Sequence, residues 1–125
     1  MIALALQKAL FAELGNALTE PVYDQVPHDA SYPYVNFNTA DTQPNDFLAE
    51  RMSEVAVSLN VWSRSGGQAE VQRVIGEIYK ALHKTRLPLD VGDMIEIRVT
   101  NLRTGREKDA KTYTGQVSLL ALIHH

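Results

Sequence analysis

Ser53-Glu54-Val55-Ala56-Val57-Ser58-Leu59-Asn60-Val61-Trp62 puts Val55, Val57, Leu59 and Val61 on one side of an extended chain and Ala56, Ser58, Asn60 and Trp62 on the other. Successive side chains of a strand point to opposite faces, so this period of two predicts a β-strand with one face in a core. Beyond Trp62 the period changes. Val71, Val74, Ile75, Ile78 and Leu82 fall on one helical stripe, with Glu70, Arg73, Glu77, Lys80 and Lys84 opposite. That is the pattern of an amphipathic helix laid across a sheet. Between the two, Ser65-Gly66-Gly67-Gln68 has the spacing of a capping box and predicts the helix start.

Downstream, Pro88 closes the helix, and Met94 to Leu102 alternates again with Ile95, Ile97 and Val99 inward. A polar turn from Arg103 to Asp109 then leads into a partner strand, Tyr113 to Ile123. Upstream, Tyr34 to Thr39 reads as a strand, and Asp41 to Glu50 as a polar connection around Pro44-Asn45-Asp46. Pro21, Pro27 and Pro33 exclude a regular helix from their stretch and leave room for a short strand at Val22 to Val26. Ile2 to Leu14 is rich in helix formers, with Gly15-Asn16 as its stop. The expected fold is α+β: a mainly antiparallel sheet of four to five strands packed with two helices, with residues 1–125 as a single domain.

Two elements are more apolar than such a fold requires. In the first helix Leu4, Leu6, Leu10, Phe11 and Leu14 cover more than one stripe. The last strand is apolar on both faces at Leu119-Leu120-Ala121-Leu122-Ile123, so its second face is expected to be covered by the first helix or by another subunit.

The chain has 125 residues, 45% of them hydrophobic and 22% charged, in the range of an ordinary globular domain. Its formal net charge of −3 argues against a general nucleic-acid or anionic-membrane binder. Zero cysteines exclude disulfides and thiolate metal sites. The apolar start, Met1 to Leu6, is too short for a membrane span or signal peptide and reads as part of the helix.

No set of residues assembles a catalytic centre. His28, Asp29 and Ser31 have the residue types of a hydrolytic triad but crowd into one loop, whereas working triads converge from separated segments. Asp41 and Asp46 read as a solvated loop rather than a carboxylate pair. His124 and His125 have no third ligand at metal spacing and are either native terminal residues or the remnant of a tag. His83 sits near a helix C-terminus, where a cation is favourable. Gly66-Gly67 lacks the rest of any phosphate-binding motif. No cofactor or metal is expected.

Val22-Tyr23-Asp24-Gln25-Val26-Pro27 followed by Tyr32-Pro33-Tyr34-Val35 resembles a family of small phage tail-completion proteins. The resemblance continues through Val61-Trp62-Ser63, Gly67 and the helix from Val71 to Leu82, and it spans nearly the whole chain. It implies a tail-terminator or head-to-tail joining protein of a phage, prophage or gene transfer agent. By that resemblance the chain forms a hexameric ring at the tube end nearest the head, binding the tail tube protein and a neck or stopper protein. It would be assembled in the bacterial cytoplasm, with DNA passing through the ring and no membrane or sequence-specific nucleic-acid contact.

The family's pattern assigns no functional residue, so interface candidates come from this chain: Arg103, Arg106 and Lys108 at the last hairpin, Trp62 on the outer face of the quoted strand, Asp46 and Phe47 in the polar connection, and Leu120 and Leu122 on the last strand. A solvated turn is the competing account of the basic residues. The competing function is a stand-alone cytosolic adaptor domain that needs one protein partner and no ring.

Overall fold

The structure, a computed structural model, describes residues 2–44 and 51–125. Its elements run α1 (Ile2–Ala17), β1 (Val22–Tyr23), β2 (Tyr34–Pro44), β3 (Met52–Ser63), α2 (Ala69–Leu82), β4 (Asp93–Arg106) and β5 (Tyr113–His124). The five strands form one sheet in the order β1-β2-β3-β5-β4, antiparallel throughout except for the short parallel pairing of β1 with β2. The fold is α+β, as the alternating and helical periods predict.

The quoted strand lies at the centre. Val55, Val57, Leu59 and Val61 of β3 are buried, and β5 continues that face with Gly115, Val117, Leu119, Ala121 and Ile123. Against it pack Val71, Val74, Ile75, Ile78 and Leu82 of α2 and Leu6, Leu10 and Leu14 of α1, in one apolar cluster. Gly115 lets α2 come close: a methyl there would lie 2.6 Å from Val71 Cγ1. Both helices therefore cover the same side of the sheet. α1 does not cover the second face of β5, and its surplus apolar residues Leu4 and Phe11 stay exposed, at 52% and 49%.

Several boundaries differ from expectation. α1 runs through Gly15 and Asn16 to Ala17. β1 keeps only Val22 and Tyr23 of the expected strand. β2 continues through Pro44, so the start of the expected connection is strand; Asp46 and Phe47 lie outside the described residues.

The capping box does not form. α2 begins after Gln68, which makes no side-chain cap; instead the buried Ser63 hydroxyl accepts from Ser65 N and donates to Glu70 Oε1 at 2.6 Å. α2 ends at Leu82, well before Pro88, because Lys84 takes a left-handed conformation (φ 58) and Thr85 bridges to Ile97 of β4.

On β4 a register shift between Met94 and Glu96 turns Met94 inward and leaves Ile95 38% exposed, contrary to the simple alternation. The strand also runs on through Arg106, so the turn is Glu107–Thr112 rather than Arg103–Asp109.

Candidate functional site

With both helices on one side, the other side of the sheet is bare among the described residues. Each row of that face follows from the register: Asp41, Ala56 and Leu120 with Arg98, then Gln43, Glu54 and Leu122 with Glu96. Leu120 and Leu122 are half-buried there, flanked by the Arg98–Glu96 ion pair at 3.9 Å. Towards the other end of the strands the face becomes polar, and Asn60, Trp62, Arg103, Gly105, Thr114 and Gln116 line a shallow groove of ≈ 280 Å³.

Trp62 is set into that groove by its neighbours. Tyr34 and Thr114 flank it on β2 and β5, its indole N–H donates to Asn36 Oδ1 at 2.7 Å, and Tyr34 stacks on it at 6.5 Å. Tyr32 and Tyr23 extend the cluster at 5.3 and 5.8 Å from Tyr34. Burial first, and the nearby Tyr32 second, push the Tyr34 hydroxyl above its ordinary pKa.

Arg64 links this cluster to the last hairpin. Its guanidinium lies 4.5 Å over the Tyr32 ring, its Nε donates to Thr112 Oγ1 at 2.9 Å, and it pairs with Asp109 at 3.6 Å. Asp109 accepts from the amides of Thr112 and Lys111 and from the Thr112 hydroxyl, which hold its carboxyl at about 2. The tip is thus a hydrogen-bonded structure anchored on Arg64, the residue after β3, a link with no signal in the sequence because Arg64 and Asp109 are far apart in the chain.

The three basic interface candidates do not form one patch. Arg103 pairs with Gln116 on the bare face, Arg106 pairs with Tyr113 on the helix side, and Lys108 lies in the turn. Elsewhere, Glu20 reaches Arg73 at 2.6 Å; burial raises its pKa, but the hydrogen bonds and charge of Arg73 outweigh that and hold it low.

Of the residues considered for chemistry, His28, Asp29 and Ser31 are exposed, and no hydrogen bond joins their side chains among the described residues. His83 is the C-cap of α2, its own backbone N–H donating to Tyr79 O at 2.9 Å; Val99 N donates to its Nδ1 at 3.1 Å, and Tyr79 stacks on it at 4.6 Å. The residue thus has the helix-end role that its position predicts, and it also ties that end to β4. His124 and His125 belong to the sheet end, His124 opposite Met52 and the His125 ring 2.8 Å from Ser53 Oγ. Among the described residues no three His, Asp or Glu side chains gather to hold a metal, and no helix is long and apolar enough to cross a membrane.

Residues 4–124 match the family of tail completion protein gp17. The chain belongs to that family. As a tail completion protein it is a structural component of a phage-type tail. No curated protein matches it. Among solved structures it is similar to a chain in the virion of a native gene transfer agent particle, with 20% identity over 99% of this chain and 98% of that one and a TM-score of 0.85. A second solved chain shares 17% identity over 99% of this chain and 94% of its own length, with a TM-score of 0.63. At these identities the likeness extends to the fold.

Proposed function

We propose that this tail completion protein assembles into a closed hexameric ring that caps the tail tube at the end nearest the head and presents its other side to a neck or stopper protein. The observation that carries the reading is the bare sheet face. It bears Leu120 and Leu122 among paired charges, whereas an isolated subunit whose sheet is solvated on one side needs no leucines there. Membership of the tail completion family supplies the setting.

On this reading Leu120, Leu122, Trp62 and Arg103 contact tail partners from the bare face, Arg106 and Lys108 act at the hairpin, and Asp46 and Phe47 act from the connection between β2 and β3. Residues 1–125 act as one assembling domain, put together in the bacterial cytoplasm, and DNA passes through the ring. Its mechanism is binding: covering the tube end stops polymerisation, and no catalytic step is involved.

Light scattering of the purified protein, alone and with tail tubes, together with electron microscopy of the tube ends, tests this. A hexamer mass, free or at capped tube ends, is expected. Protein that remains monomeric and leaves the ends uncapped would be an adaptor of another kind.

A further inference from the structure

The sheet has two long outer strands, each covered along only part of its outer edge. On β2, β1 pairs with Val35 and Asn36, and beyond them Asn38–Pro44 has no partner on that side among the described residues. On β4, the segment around Thr85 bonds to Ile97, Arg86 Nε donates to Ile95 O, and His83 accepts from Val99 N. From Thr100 to Arg106 the outer edge is free of partners among the described residues. The two free segments are equal in length and exposed. Unpaired edges of this kind invite another strand unless they are blocked.

Three independent features make these two edges fit each other. The first is direction. With antiparallel pairing from β2 through β3 and β5 to β4, the outer strands run oppositely, so a neighbouring copy in the same orientation continues the sheet with antiparallel pairing.

The second is phase. Val35 N bonds outward to Pro21, and carrying the alternation along β3 past the bulge at Phe37/Thr39 makes Ala40 and Thr42 the outward-bonding residues of β2. Glu107 N bonds to Thr112 O across the hairpin, which by the same alternation makes Leu102 and Thr104 outward-bonding on β4. All four lie on the helix-covered side, opposite Val57, Val55, Val117 and Gly115 respectively. Ala40 with Thr104 and Thr42 with Leu102 therefore satisfy hydrogen bonding and side-chain facing at once.

The third is charge. The register that makes those pairs sets Asp41 directly opposite Arg103, both on the bare face, and opposite charges across strands stabilise such a pair.

We propose that Thr100–Arg106 of β4 pairs antiparallel with Asn38–Pro44 of β2 in a second copy of this chain, joining copies head to tail. The inference deepens the ring reading and rests on it. A contact between unlike edges repeats from copy to copy and closes a ring where the rotation permits. The geometry favours closure. Leu102 is level with Leu59 of its own sheet while Thr42 is level with Val55, so each copy is displaced by the rise from Val55 to Leu59, roughly 13 Å along the strands. The repeat is β2, β3, β5 and β4, roughly 19 Å across. That ratio tilts the strands about 35° from the ring axis, the tilt at which sheets close into barrels.

The chain has no cysteine, so disulfide trapping is clean. Residues 41 and 103 stand on opposite edges of one sheet, too far apart to bridge within a copy, whereas a directly opposed pair between copies lies within disulfide reach. Asp41→Cys/Arg103→Cys, oxidised with tail tubes present, is expected to give a ladder of covalent multimers. Mixing the two single variants should stop at dimers, and Ala40→Cys/Arg103→Cys, whose thiols face opposite sides, should give no ladder. All these sites are exposed, so unchanged melting of each variant is expected and is checked first. Absence of the ladder in protein that forms a ring by light scattering overturns the edge pairing and leaves the ring standing, as does an equal ladder from the Ala40 pair. Protein that stays monomeric alone and on tubes overturns both.

Discussion

Gly115 shows how one atom's absence sets the distance between layers. A methyl group there would lie 2.5 Å from Ile75 Cδ1 and 2.6 Å from Val71 Cγ1, so Gly115→Ala forces α2 outward or its side chains off their rotamers. Overpacking of this kind costs about 1–3 kcal/mol, and a lower denaturation midpoint with an unchanged slope is expected. Ile78 is fully buried on the same interface, and Ile78→Asp buries a charge with no partner, which is expected to unfold the chain; a cooperative melt of that variant would refute its placement. Asp109 is a different case, exposed yet held at about 2 by the Thr112 and Lys111 amides, the Thr112 hydroxyl and Arg64. A depressed carboxyl stabilises the fold above its unfolded value, about pH 4, and loses that contribution as pH falls towards 2. Titration of the Asp109 carboxyl by NMR should show a midpoint near 2, and Asp109→Asn should remove this part of the acid dependence.

The helix α2 was legible in the sequence because one periodicity runs through it without interruption, and Val71, Val74, Ile75, Ile78 and Leu82 are all buried. β3 was legible for the same reason. β4 was not fully legible, because bulges at Met94/Glu96 and Val99/Asn101 break the period of two, and a bulge depends on what the partner strand does. Reading Arg103 and Arg106 as turn residues failed for a related cause: their polarity reflects exposure of an edge strand rather than a loop. Of the candidate site, the second face of β5 was legible from Leu120 and Leu122, whereas the free edges of β2 and β4 needed the strand order. The hairpin also reads differently in the fold. A charged turn longer than two residues suggests a dispensable tip, but Glu107–Thr112 holds Asp109 and Thr112 against Arg64. Replacing those residues by Asn-Gly should therefore lower the melting temperature; an unchanged melt would return the tip to the role of a solvated turn.

At the scale of the whole molecule, the distribution of polarity separates folding from assembly. The helix-covered side holds the buried core, and the bare side carries Leu120 and Leu122, half-buried in the isolated chain between Ala56, Glu54, Arg98 and Glu96. Substituting both, Leu120→Thr and Leu122→Thr, puts β-branched side chains on the strand and sets no new charge between Glu54 and Glu96, so the melting temperature should hold close to that of the parent, as for most surface changes. If the bare face meets the tube or a neighbour, each lost leucine removes about 1.5–3 kcal/mol of burial, and the two new hydroxyls must also be desolvated, so capping should fall by 100-fold or more. Salt separates this contribution from that of Arg103. Apolar burial is not screened, whereas a charge pair at an exposed edge weakens as the Debye length shrinks from about 10 Å at 0.1 M to 3 Å at 1 M. Capping by the double-leucine variant should thus be poor at every ionic strength, while Arg103→Glu should lose capping most at low salt and recover part of it as salt rises. Counting capped tube ends by electron microscopy across a salt series reads both at once. Full capping by a folded double-leucine variant would remove the bare face from the assembly and leave the strand edges to carry it.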